Sequence, residues 1–98
     1  MSKQLYTENQ NGYYKRVFCK VKDVVKDEEL IVKDGVEKLV LVDFSIFNET
    51  DEMLEVIINE SDEVLTIKPE EGFLMGEYPV FSCVVVSQSG TVKYAGLY

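Results

Sequence analysis

The chain has 98 residues, with 18 Asp and Glu against 10 Lys and Arg, a formal net charge of −8 and no His. That length makes one domain with a modest core, and 46% apolar with 29% charged residues is a globular rather than a disordered composition. The negative surface repels a nucleic-acid backbone, the missing His removes the commonest general base and the Ser-His and Cys-His pairings, and no run reaches the roughly 18 apolar residues of a membrane span.

Residues 1–12 are polar, with Asn9, Gln10, Asn11 and Gly12 in a row, and are predicted to form an N-terminal arm. Residues 13–98 are then a single β domain. Met1-Ser2-Lys3-Gln4-Leu5 lacks the apolar stretch of a signal peptide, so a cytoplasmic protein with reduced thiols is expected. Cys19 and Cys83 both alternate with apolar neighbours, which predicts two small buried hydrophobes. Spacing alone leaves a disulfide between them open.

Tyr13–Lys22 reads as a strand. Val17, Cys19 and Val21 share one face, expected to be the core face, and Arg16, Lys20 and Lys22 share the other. Lysines on such a strand discourage edge pairing. An acidic turn at Lys26–Glu29 follows, then a short strand Leu30-Ile31-Val32 and a hairpin signal at Lys33-Asp34-Gly35. Val36–Phe47 is the longest apolar run. Leu39, Val40, Leu41 and Val42 do not alternate, which predicts a strand covered on both faces.

One internal repeat stands out. Residues 46–56 and 57–67 match with a period of 11, each copy running from a strand end through Asn-Glu-(Thr/Ser)-Asp into the next strand. Such turn residues bond their own backbone. Two copies in series predict a three-stranded meander over residues 40–68. An acidic helix at 49–58, capped by Thr50, is the competing reading, disfavoured by the β-branched pair Ile57-Ile58. Pro69-Glu70-Glu71-Gly72 is a turn, Phe73-Leu74-Met75 a short apolar stretch, Val80–Val86 a strand and Ser87–Gly90 a turn. The last strand, Thr91–Tyr98, puts Val92, Tyr94 and Gly96 on one side and Lys93, Ala95 and Leu97 on the other. Together these segments predict an all-β fold: a small antiparallel β-sandwich or barrel of about seven or eight short strands with little or no helix.

Charge is segregated along the chain: residues 1–22 carry a net +4, residues 23–77 a net −13 and residues 78–98 a net +1. Either the sheets bring basic and acidic strands together within the domain, or complementary faces meet between neighbouring subunits.

No constellation for chemistry emerges. The six Gly form no phosphate-binding loop, and two Cys without His make a poor metal site. The turns Asn48–Glu52 and Asn59–Glu63 offer oxygen ligands of the calcium type without EF-hand spacing. Their Asn-Glu-(Thr/Ser) triplets also match a glycosylation sequon, read here as turn chemistry. No catalytic residue, cofactor or metal is therefore expected, and the chain is read as a non-enzyme. Tyr78, Phe81, Tyr94 and Tyr98, in a segment with one charge, are buried strand residues or interface anchors. Asp51 and Asp62 are the centres of the acidic stretch, which could occupy a basic groove on a partner enzyme.

In compactness, acidity, polar N-terminal arm and the ending Gly90-Thr91-Val92-Lys93-Tyr94-Ala95-Gly96-Leu97-Tyr98 after an apolar strand, the chain resembles small β-sandwich proteins of tailed-bacteriophage particles or their prophage remnants. The resemblance implies a structural or accessory role through self-association and assigns no residue a function. The expected function is thus a non-catalytic assembly module, homo-oligomeric, with protein partners and no nucleic-acid or membrane partner. An acidic inhibitor of a partner enzyme is the alternative.

Overall fold

The computed structural model describes residues 16–33, 37–87 and 90–98. Among them there are nine strands and no helix: β1 (Val17–Val24), β2 (Val32–Lys33), β3 (Glu37–Lys38), β4 (Val42–Asn48), β5 (Leu54–Ile58), β6 (Leu65–Ile67), β7 (Gly72–Leu74), β8 (Cys83–Val85) and β9 (Gly90–Leu97). They build a four-stranded sheet in the order β1-β9-β4-β7, a three-stranded sheet in the order β6-β5-β8 and the pair β2-β3, with every pairing antiparallel. One core joins the two larger sheets. Phe18, Phe44, Ile46, Val92 and Tyr94 come from the first, and Leu54, Val56, Ile67, Cys83 and Val85 from the second. This is the expected small all-β domain. The predicted arm at 1–12, Tyr13–Lys15, the hairpin turn at 34–36 and residues 88–89 lie outside the described residues.

Strand β9 follows its alternation. Val92, Tyr94 and Gly96 face the core, and Lys93, Ala95 and Leu97 face away. Gly96 is needed for close approach, because a Cβ there would stand 2.8 Å from the Leu41 Cβ. Strands β2 and β3 pair on either side of the expected hairpin turn.

Three expectations are corrected. First, β1 presents the opposite face to the core. Phe18 and Val24 are buried, whereas Val17, Cys19 and Val21 are exposed. Lys20 and Lys22 tolerate the inward side because their stems lie over apolar surface while their heads escape. The Lys20 ammonium sits 5.7 Å from the Phe18 ring centroid, and Lys22 pairs with Glu28. Second, the 36–47 run is not one strand covered on both faces. Leu39 and Leu41 are buried and Val40 is exposed. The alternation slips at a β-bulge, where Val42 opposes Leu97 but Ser45 opposes Ala95, and Asp43 takes a φ of 51°. That extra residue is why the sequence shows no clean period of two.

Third, the repeat does not make a meander. Strand β4 belongs to the four-stranded sheet and β5 to the three-stranded one, so the first repeat turn crosses between sheets. Only the second joins paired neighbours, β5 and β6. There Asn59 and Glu60 have φ of 53° and 58°, and the Ser61 N–H donates to the Ile58 carbonyl. Two successive positive φ values under that bond are those of a type I′ turn.

The segment after β1 extends the second sheet. The Asp27 and Leu30 N–H groups donate to the Val85 and Cys83 carbonyls, and the Val85 N–H donates to the Glu28 carbonyl. Leu41 and Val80 exchange both backbone bonds, which ties the approach to β4 to the approach to β8.

Candidate interaction surface

The register of the four-stranded sheet determines which side chains share its outer face. One row runs Cys19, Ala95, Ser45, Leu74 and the next runs Val21, Lys93, Phe47, Gly72, with Val17 beside Leu97 at the end. These rows are apolar apart from Lys93 and Ser45. Val17 is 72% exposed, Leu74 65% and Val21 57%. A shallow open groove of about 420 Å³ lies across Phe47, Leu74 and Lys93. Asp23 closes one corner, accepting a 2.6 Å bond from the Thr91 hydroxyl. Chemically this surface can bury apolar area against a partner. Its one thiol, Cys19, stands on the outside of the sheet while Cys83 is in the core, so the disulfide left open by spacing does not form.

The six anticipated interface residues scatter. Tyr78 and Phe81 are exposed in the passage from β7 to β8. Tyr98 packs against the core edge with the Lys33 ammonium 5.7 Å from its ring centroid. Tyr94 is 2% exposed, its ring 6.0 Å from that of Phe18. Within one chain Tyr94 is therefore a core residue and offers no surface. Asp51 and Asp62 are exposed but lie at opposite ends of β5, one before its start and one after its end. The calcium-type turns assemble no group of three or more candidate metal ligands among the described residues.

Three polar side chains organise the fold, two of them the repeat-turn Asn residues and the third, Glu29, not singled out by the sequence. The Glu29 carboxylate accepts bonds from the Ser82 hydroxyl and the Cys83 N–H, both at 2.7 Å, and from the Ile31 N–H at 3.1 Å. The Asn48 and Asn59 amides occupy equivalent repeat positions with opposite uses. Asn48 donates to the Glu52 and Ile67 carbonyls. Asn59 accepts from the Phe81 and Ser82 N–H groups and donates to the Pro79 carbonyl. Asn48 also bonds within its own turn, as expected, accepting from the Thr50 N–H, whereas the Asn59 side chain reaches across to the approach to β8. The repeat flags the two Asn. Nothing in the run Asp27-Glu28-Glu29 separates Glu29 from its neighbours.

Glu29→Ala strands the Ile31 and Cys83 N–H groups and the Ser82 hydroxyl at once, so a loss of about 2–3 kcal/mol is expected. Ser82→Ala, which removes one partner only, should cost about 1 kcal/mol. Urea midpoints for the two variants check this, and equal losses would show that Glu29 is not the hub.

Burial, with the Glu29 charge as a second cause, pushes the Cys83 thiol from 9.0 up to about 12. It stays protonated and packs as a small hydrophobe. No protein-family model, curated protein or solved structure matches the chain.

Proposed function

We propose that the chain is a non-catalytic structural or assembly module that works by binding further copies of itself. The outer face of the four-stranded sheet is the observation that carries this reading. Val17, Val21, Phe47 and Leu74 are exposed there on a single continuous surface, although the chain has enough charged residues to cover it. Scattered surface hydrophobes are ordinary, whereas contiguous apolar rows mark contact surfaces. The likeness in character to accessory proteins of bacteriophage particles fits the same role, and a particle component is the setting proposed.

Sedimentation velocity over a wide concentration range tests the reading. A mass that rises above that of the monomer with concentration is expected. A chain that remains strictly monomeric at high concentration would overturn it.

A further inference from the structure

The hydrogen-bond pattern of the four-stranded sheet shows which backbone groups its two edges offer. Arg16 and Tyr98 exchange both backbone bonds at 3.0 Å. Antiparallel pairs alternate between bonded and non-bonded, so Phe18, Lys20, Lys22 and Val24 face β9. Val17, Cys19, Val21 and Asp23 point their N–H and C=O groups away from it. At the other edge the Met75 N–H donates to the Phe44 carbonyl and the Asn48 N–H to the Glu71 carbonyl. By the same alternation Gly72 and Leu74 point theirs outward. All three residues of β7 are exposed, and no bond from another described strand reaches either edge.

The two edges carry opposite charge. The difference is one of net charge: beside β1 stand Arg16, Lys20 and Lys22, the last paired with Glu28, against Asp23, and beside β7 stand Glu70, Glu71 and Glu77 against Lys68. They also run in opposite directions, because β1 and β4 are both antiparallel to β9 and β7 is antiparallel to β4. We propose that β1 of one copy adds, antiparallel, to β7 of the next, so that the four-stranded sheet continues head to tail from copy to copy. This rests on the self-association reading and names its contact.

Outward groups and outer faces agree wherever Val17, Cys19, Val21 or Asp23 meets Gly72 or Leu74, and the register proposed is the one that joins each apolar row to its own counterpart. Val21 meets Gly72 and Cys19 meets Leu74, which continues both apolar rows into the neighbour. Lys22, which pairs with Glu28 within its own chain, then stands opposite Glu71, Arg16 stands opposite the turn that carries Glu77, and Asp23 opposite Glu70 is the one like-charge pair. The symmetric alternatives are disfavoured. Strand β1 against β1 sets Lys20 and Lys22 against their own copies, and β7 against β7 crowds the flanking Glu70, Glu71 and Glu77 of two copies along one seam. Lysines on an edge strand block like edges, yet they attract an acidic one. A head-to-tail contact closes into a ring or runs on as a filament. Because β7 is only three residues long, the contact leans on charge and weakens as salt rises.

Val21→Pro and Leu74→Pro each remove an outward N–H and leave the bonds to β9 and β4 intact. The wild-type chain is expected to sediment as salt-sensitive species larger than a dimer. Each proline variant alone should be monomeric. An equimolar mixture should stop at a dimer, because each variant keeps the edge that the other lacks. Circular dichroism confirms that the variants fold. If either does not, Arg16→Glu and Glu77→Arg replace them, each weakening association roughly tenfold or more, with partial recovery on mixing. An oligomeric wild type whose edge variants associate unchanged overturns this contact and leaves the self-association reading standing. A monomeric wild type overturns both.

Discussion

Replacing Asn48 by Asp is expected to destabilise the chain by about 3 kcal/mol or more at neutral pH. Asn48 closes β4 and is fully buried. Its amide nitrogen donates at 2.7 Å to the Glu52 carbonyl and at 2.9 Å to the Ile67 carbonyl, and its amide oxygen accepts from the Thr50 N–H at 2.8 Å. Its backbone N–H donates to the Glu71 carbonyl, and its carbonyl accepts from the Glu70 N–H. One residue thus fixes the crossover between sheets, the end of β6 and the turn into β7. An ionised Asp keeps the bond from Thr50 and turns two carbonyl oxygens against a carboxylate in a buried site.

Protonation would restore a donor. In that variant the folded pKa lies above the unfolded value of about 4, so the deficit against wild type is smallest below pH about 4, where one of the two donor bonds returns, and grows as the pH rises. Asn59→Asp is the internal control. Two of the three bonds of Asn59 are accepted from N–H groups, and a carboxylate retains those, so about 1 kcal/mol is expected. Urea midpoints for both variants at pH 4 and pH 7 read the difference. Equal losses at pH 7 would refute the division of labour between the repeat copies.

Local composition carried most of the architecture. Most β-branched and aromatic runs contain a strand, although Leu30 and Ile31 precede β2 and only Cys83–Val85 of the 80–86 run is one, and β9 took the faces its alternation assigned, because its inward side holds no charge and its outward side holds Lys93. The face of β1 was not legible in the same way. Apolar residues stand on both sides of that strand, Phe18 and Val24 on one and Val17, Cys19 and Val21 on the other. Counting them favours the wrong side. One aromatic ring with two lysine stems covers more core than two valines and a cysteine, and counting does not weigh area.

The bulge at Asp43 hides in the same manner. A single positive φ shifts the phase of the strand, and Asp, although enriched in that conformation, adopts it at only a small fraction of its positions. The repeat was visible, but its topology was not. Whether an Asn-Glu-(Thr/Ser)-Asp turn returns along its own sheet or crosses to the other depends on what its side chain meets, and Asn48 meets the Ile67 carbonyl 19 residues away. The candidate surface was missed for a related reason: an exposed valine and a buried one are the same letter, and only the pairing register places Val21 in a row with Phe47.

Alkaline conditions should destabilise the protein through Cys83. The thiol is fully buried between β5 and the segment after β1. Burial first, and the Glu29 charge second, raise it from 9.0 to about 12. Between those two values the unfolded chain has lost the thiol proton and the folded chain has kept it. The folded state then binds more protons, and stability falls as the pH rises through that window. Going from pH 8 to pH 11, this one group should remove about 2–3 kcal/mol.

Tyr94 adds to the fall, because burial, then Glu28, then Cys83 raise its hydroxyl from 10.0 to about 12. Cys83→Ala separates the two. It leaves a small cavity and starts about 1 kcal/mol less stable at pH 8, but its stability should decline less steeply with pH, because only Tyr94 remains to titrate. Urea midpoints at several pH values for the two proteins give the curves. A thiol reagent supplies an independent reading at pH 8: one thiol, Cys19, should react at once in the folded chain, and Cys83 only at the rate of unfolding. Parallel stability curves for the wild type and Cys83→Ala, or two thiols reacting at once in the folded protein, would show that Cys83 is not held in its protonated form by the core.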